Sequence, residues 1–300
     1  MADPLVTAGA VARLARYFEG LPTRQGVLAR AALHRPAADD GALARELGRR
    51  MAAELRPDGS VGGAAVPTIW RAHELLDLGR PPDDPAVARI LAWLAERQDA
   101  PGAYGEGCDR ERHAQRICRH FIGGFFAPAS GEQRIAPVTL PNGKAFRAEP
   151  AARFAISCLG LRAALRAGLG DRPAVVRHLE SVHALAQQWT GWAGFFTPDV
   201  MVAGLHALAL GGPAYRPAVE SVASLVSAEQ SRDGLWPNAD PFATLEALVA
   251  TGLPVARAAA RRAVPALVER QKPDGTFGAM AQQERALIAL RVLLWADPAL

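Results

Sequence analysis

Apolar positions along this chain fall in short blocks at three- and four-residue spacing, and the blocks alternate between two kinds. One kind is amphipathic and charged, as from Val219 to Gln230 and from Val255 to Gln271. The other is shorter and more uniformly apolar, as from Val200 to Leu210 and from Phe242 to Thr251. This spacing predicts helices, the first kind with a wet face and the second buried on most sides. Few stretches show the period of two that a half-buried strand needs.

The junctions between the two kinds carry a repeat. Gln230-Ser-Arg-Asp-Gly-Leu-Trp236 and Gln271-Lys-Pro-Asp-Gly-Thr-Phe277 share the pattern Q-x-x-D-G-x-aromatic. Looser copies begin at Leu55, Gln98 and Gln187, so that successive steps are 43, 89, 43 and 41 residues, the longest being one period plus an insertion. Each copy reads as a turn, because glycine supplies a positive φ at little steric cost. Pro67, Pro150, Pro198 and Pro241 then open the following helices, as first-turn prolines do. With an N-terminal pair at about residues 5–19 and 40–55, the chain holds roughly six helical hairpins. Such hairpins close naturally into an all-α, alpha/alpha toroid with the apolar helices inside and the charged ones outside, an open solenoid being the alternative. Alanine and glycine along the inner candidates, such as Ala203, Gly204 and Ala207, suit close packing in a ring.

Length and composition agree with that count. A chain of 300 residues that is 50% hydrophobic and 21% charged can bury a sizeable core. Six hairpins use it up, so residues 1–300 form a single toroid domain, with residues about 105–147 inserted as a lid. Three cysteines rule out a disulfide framework. The N-terminus has no signal-peptide pattern and no apolar run reaches bilayer length, which points to a cytoplasmic protein with peripheral membrane contact still open. The net charge is +4, and Lys144 and Lys272 are the only lysines among 34 basic residues. Arg112, Arg116, Arg162 and Arg166 read as solvated helix faces or partners of carboxylates, and without a basic block interleaved with aromatics nucleic acid is not expected as a partner. Oligomeric state leaves no mark on the sequence.

The Q-x-x-D-G-x-W turn between outer and inner helices resembles the QW-type repeat of squalene–hopene and terpene cyclases, whose barrel is shared with protein prenyltransferase β subunits. The resemblance spans about residues 40–295 and implies an isoprenoid or other extended apolar ligand in the ring. Class II members of that family protonate an alkene or epoxide from a D-x-D-D motif. Here Thr197-Pro-Asp199-Val200 stands in its place, so the resemblance puts the central acid on Asp199 and leaves the flanking acids missing.

Three sites are candidates. In a toroid of hairpins the inner helices run in one sense, so their N-termini gather at one mouth. That brings together Thr68 with Arg71, Glu149 with Arg153, Asp199, Asp240, and Gln283 with Glu284. Asp199 is the candidate acid and Asp240 and Glu284 its catalytic neighbours, while Asp199 could equally cap a helix. Trp70, His73, Phe154, Phe195, Phe196, Trp236 and Phe242 are candidates to line the cavity with Arg71, Glu149 and Arg153, or to pack the core. The second site is Cys108, His113, Cys118 and His120 in the insertion, whose spacing lacks the usual paired arrangement for zinc, so no metal or other cofactor is assigned. The third is a cysteine nucleophile, for which Cys158 lies in too apolar a helix. Function stays open between a terpene-cyclase-like enzyme, a non-catalytic lipid-, peptide- or protein-binding module, and a zinc-dependent prenyltransferase-like enzyme.

Overall fold

The computed structural model describes residues 4–97, 133–192 and 198–299, and these are almost wholly helical. Odd-numbered helices form an outer layer: α1 (Pro4–Phe18), α3 (Asp40–Ala53), α5 (Pro85–Ala95), α7 (Pro173–Ala186), α9 (Arg216–Ala228) and α11 (Pro254–Arg270). Even-numbered helices form an inner layer: α2 (Arg24–Ala32), α4 (Ala65–Asp77), α6 (Glu149–Arg166), α8 (Pro198–Leu208), α10 (Pro241–Thr251) and α12 (Gln282–Ala296). Each inner helix touches the next, and α12 returns to α2, so the inner ring is closed. Outer helices seat in the grooves between inner ones. The fold is an alpha/alpha toroid of six hairpins. A two-stranded hairpin, β1 (Val138–Thr139) and β2 (Ala145–Phe146), precedes α6 with Val138 opposite Phe146.

The layer of each helix follows from its sequence. α6 is buried along nearly its whole length because it is apolar almost all round. α9 buries only the stripe Val219, Val222, Ala223, Val226 and Ser227. On α8, a side chain at Gly204 would stand 2.5 Å from the Trp189 ring and 3.4 Å from Phe154, so the missing side chain lets those aromatics pack against the helix. Asp240 caps α10 by accepting from the Phe242 and Ala243 amides at 3.0 Å each.

The turns at 55–61, 230–236 and 271–277 have one geometry. Asp58, Asp233 and Asp274 each accept the amide two residues on, at 2.9–3.1 Å. Gly59, Gly234 and Gly275 have φ of 88°, 83° and 90°. An alanine there would meet the backbone oxygen of Arg89, Arg262 or Arg13 respectively, each on the next outer helix. Gln230 donates to Gly234 O and across to Ala259 O; Gln271 donates to Gly275 O and across to Ala10 O. The last turn therefore docks on the first helix and closes the outer layer.

The N-terminal pair is corrected by the structure. Residues 40–53 form the outer partner of α4, and the inner helix of the first hairpin is α2, which periodicity did not reveal. Its buried residues include Arg24 and Arg30, so its inward face is charged and an apolar-stripe criterion passes over it.

Candidate functional site

The ring encloses charge as well as hydrocarbon. A cavity of about 330 Å³ lies on its axis, bordered by Trp70, His73 and Asp77 of α4, by Arg162 and Arg166 of α6, and by His206 of α8. Leu210, Glu246, Val249, Glu284, Ile288 and Arg291 complete much of the wall. Most of these residues come from the C-terminal halves of their helices, so the cavity belongs to the mouth where those ends gather. Arg24, at the start of α2, bonds Asp77 and Glu284, stands 3.8 Å from Glu74, and lies over the Trp70 ring at 5.3 Å. Burial works against its charge, but the carboxylates more than offset this and hold its pKa above the ordinary arginine value. Arg166 bonds Asp77 at 2.6 Å and His73 Nδ1 at 2.9 Å. His73 Nε2 faces the Leu159 carbonyl at 3.1 Å, which assigns its proton to that nitrogen and leaves Nδ1 to accept. Burial first, then Arg162 and Arg166, pushes the His73 pKa well down, so the ring is neutral.

At the other mouth the hairpin fills the space. Lys144 reaches in from the hairpin and pairs with Asp199 at 2.5 Å. Burial raises the Asp199 pKa, with Lys144 pulling it back and Asp240 adding to the rise. Arg285 bonds Asp240 at 3.0 Å and the Asn142 carbonyl at 3.1 Å, tying the hairpin tip to the same spot. What remains beside Asp199 is about 40 Å³, bordered by Leu140, Phe146, Cys158 and Val202. That volume suits a water or two.

The structure divides the sequence-predicted residues into separate places. Asp199 and Asp240 do meet at the N-terminal mouth. Glu284 is not with them; it is bound to Arg24 and accepts from Gln25 at 3.0 Å, and burial raises its pKa against the pull of Arg24. Trp70 and His73 border the larger cavity. Arg71 turns outward to the Met51 carbonyl and Glu54, at 2.8 Å each. Glu149 accepts the Ala136 amide at 2.7 Å and the Arg153 guanidinium at 2.8 Å, fastening the chain that enters the hairpin. Phe154 and Trp236 are core residues: Phe154 packs at Gly204, and the Trp236 indole donates to the Val226 carbonyl at 2.7 Å. Phe242 meets Phe277 edge-on at 5.3 Å under the Arg285 guanidinium.

Phe195, Phe196, Cys108, His113, Cys118 and His120 lie outside the described residues. Among the described residues no group of three His, Cys, Asp or Glu side chains could hold a metal ion, and no helix is long and apolar enough to cross a membrane. Cys158 is buried with its thiol pushed far up in pKa. Sequence reasoning missed Arg24, Asp77 and Glu246; of its two readings of Arg162 and Arg166, solvated faces or partners of carboxylates, the structure bears out the second, with Glu246 and Asp77 as the partners. For all but Arg24 the signal was charge on helices otherwise apolar enough to be inner.

The described residues thus define an alpha/alpha toroid that encloses a mixed polar and apolar cavity. The type II terpene cyclase MstE from Scytonema, solved with its substrate geranylgeranyl dihydroxybenzoate, is similar over 98% of both chains at 15% identity and a TM-score of 0.58. A protein from Actinoplanes is similar over 97% of this chain and 99% of its own, at 17% identity and a TM-score of 0.58. The ent-copalyl diphosphate synthase of Streptomyces platensis matches 93% of this chain with 50% of its own, at 17% identity and a TM-score of 0.51. No protein-family model matches the chain, and no curated protein is similar to it in sequence.

Proposed function

We propose that this chain is a terpene-cyclase-like toroid that binds an isoprenoid, or another ligand with an apolar chain and a polar end, in its central cavity. The observation that carries this is the mixed wall of the 330 Å³ cavity, where Trp70, Leu210, Val249 and Ile288 stand with His73, Arg162, Arg166 and His206. An apolar lining with a few convergent polar groups is the ordinary form of a small-ligand site. Residues 1–300 act as one toroid domain, with 105–147 as the lid over the mouth at Asp199. Glu149 and Arg153 hold the base of that lid, and Trp70 and His73 contact the ligand.

In a protonation-initiated cyclisation Asp199 is the acid and Asp240 its neighbour. Burial supports the role by raising the Asp199 pKa. The step requires Lys144 to withdraw, because a carboxylate paired with an ammonium group is ionised and has no proton to give. The Lys144–Asp199 pair equally supports a non-catalytic binding module, in which the hairpin stays seated.

One experiment separates these. The protein is incubated with geranyl, farnesyl and geranylgeranyl substrates, binding is followed by calorimetry, and products by gas chromatography with mass detection. Cyclised products from the wild type and none from Asp199→Asn would establish the enzyme. Stoichiometric binding without product would establish the module, and absence of both sinks the proposal.

A further inference from the structure

We propose that an oxyanion, a carboxylate or phosphate group, binds at the centre of the ring between Arg162 and His206, and that its arrival places a proton on His206. This deepens the ligand reading above and rests on the same cavity being the binding site.

The two side chains are incompletely bonded where the network meets open volume; Arg24 Nε also lacks a partner, but both Nη groups of that guanidinium are held by Asp77 and Glu284. Arg162 Nε is buried and has no hydrogen-bond partner among the described residues. Its Nη2 reaches Glu246 Oε1 only at 3.5 Å, the long limit of a hydrogen bond. His206 is 8% exposed, borders both the 330 Å³ and the 40 Å³ cavities, and makes no hydrogen bond among the described residues. Its neighbour His73 shows the contrast, with both ring nitrogens engaged. Buried polar groups are almost always hydrogen-bonded, so an under-used guanidinium beside an unpartnered imidazole, both facing open volume, lacks a ligand that accepts hydrogen bonds.

An anion fits for electrostatic reasons. Burial and then Arg162, His73 and Arg166 keep His206 neutral, its pKa well below the ordinary histidine value. An anion seated against Arg162 reverses the local potential, and a protonated imidazole then becomes a second charge-assisted donor to it. Other charged groups also face these cavities. Asp77 and Glu284 are held by Arg24, with Arg166 also on Asp77. Lys144 holds Asp199. Arg291 adds a further positive charge to the wall. Glu246 is loosely placed, 3.5 Å from both Arg162 and Asn142, and can turn to Asn142 as the anion takes Arg162.

Sulfate and benzoate are suitable probes, since neither titrates between pH 6 and 9 and neither carries an isoprenoid chain. Binding to the wild type is measured by calorimetry across that range, in paired buffers of different ionisation enthalpy. At least one probe should bind with net proton uptake, its affinity falling by up to about tenfold per pH unit as pH rises. His206→Asn should bind with no uptake and a flat pH profile. Arg162→Gln, or Arg162→Lys should the first not fold, should weaken binding by about tenfold or more. Failure of both anions to bind, binding without proton uptake, or affinity unchanged in the Arg162 variant would overturn the inference. Anion binding without isoprenoid binding would sink the isoprenoid reading and leave this one standing.

Discussion

Replacing Arg24 with methionine tests whether the interior charge network holds the ring closed. The guanidinium is 2% exposed and joins α2 to Asp77 on α4 and to Glu284 on α12. Methionine keeps an unbranched stem of similar reach but leaves both carboxylates without their common partner. Removing one side of a buried ion pair costs about 3–5 kcal/mol. Asp77 keeps Arg166 at 2.6 Å and Glu284 keeps Gln25 at 3.0 Å, so the lower end, about 3 kcal/mol, is the expectation. The deficit should also depend on pH. Burial already raises the Glu284 pKa while Arg24 pulls it down, so without Arg24 it rises further. A carboxyl whose folded pKa lies above its unfolded value stabilises the fold at low pH and loses that contribution as pH rises through the folded value. Arg24→Met should therefore be less destabilised at pH 5 than at pH 8, and adding Glu284→Gln should recover part of the loss at pH 8. Urea denaturation at the two pH values measures this. A deficit under about 1 kcal/mol, or one equal at both pH values, would refute the reasoning.

Three other substitutions probe separate parts of the molecule. Gly234→Ala places a methyl 2.2 Å from the Arg262 carbonyl at a φ of 83° and should cost about 2–4 kcal/mol, whereas Gly252→Ala, at φ 65° with open space around it, should cost about 1–2; chemical denaturation compares them. Burial lowers the His178 pKa to about 3, so the unfolded chain binds the extra proton and stability falls as pH drops below 6.5; this group's share, about 2 kcal/mol by pH 5, should vanish in His178→Gln and leave the share of His73 and His206 in pH-dependent melts. Lys144→Met should raise the Asp199 carboxyl pKa, read by carbon-13 NMR titration, and an unmoved value would mean that the pair does not form in solution.

The repeat was legible because its chemistry is local. Asp233 accepts an amide two residues away and Gly234 supplies the positive φ within the same few positions, so the turn declares itself wherever Asp-Gly follows an amphipathic block. Inner and outer helices were separable for the same reason, since an all-round apolar block such as α6 must be covered on every side. Asp199 and Asp240 were legible as neighbours, because both lie at helix starts that a ring of parallel inner helices gathers at one end; Glu284, also at a helix start, was misplaced because Arg24 draws it into the other network. Trp236 and Phe154 were not placed, since an aromatic at helical spacing looks the same whether it faces a cavity or a neighbouring helix.

Sequence alone thus determined most of the helices and the approximate hairpin count, which follow from hydrophobic period and turn chemistry; α2 and the closure of the ring came only with the tertiary structure. Tertiary structure decided the character of the interior. Arg24 and Glu284 are 260 positions apart, and their pairing exists only because α12 comes round to meet α2. Arg162 and Arg166 look like surface charges on a helix read by itself. Ring closure turns that face inward, where low exposure makes each charge demand a partner, and the place where partners run short is the centre of the cavity.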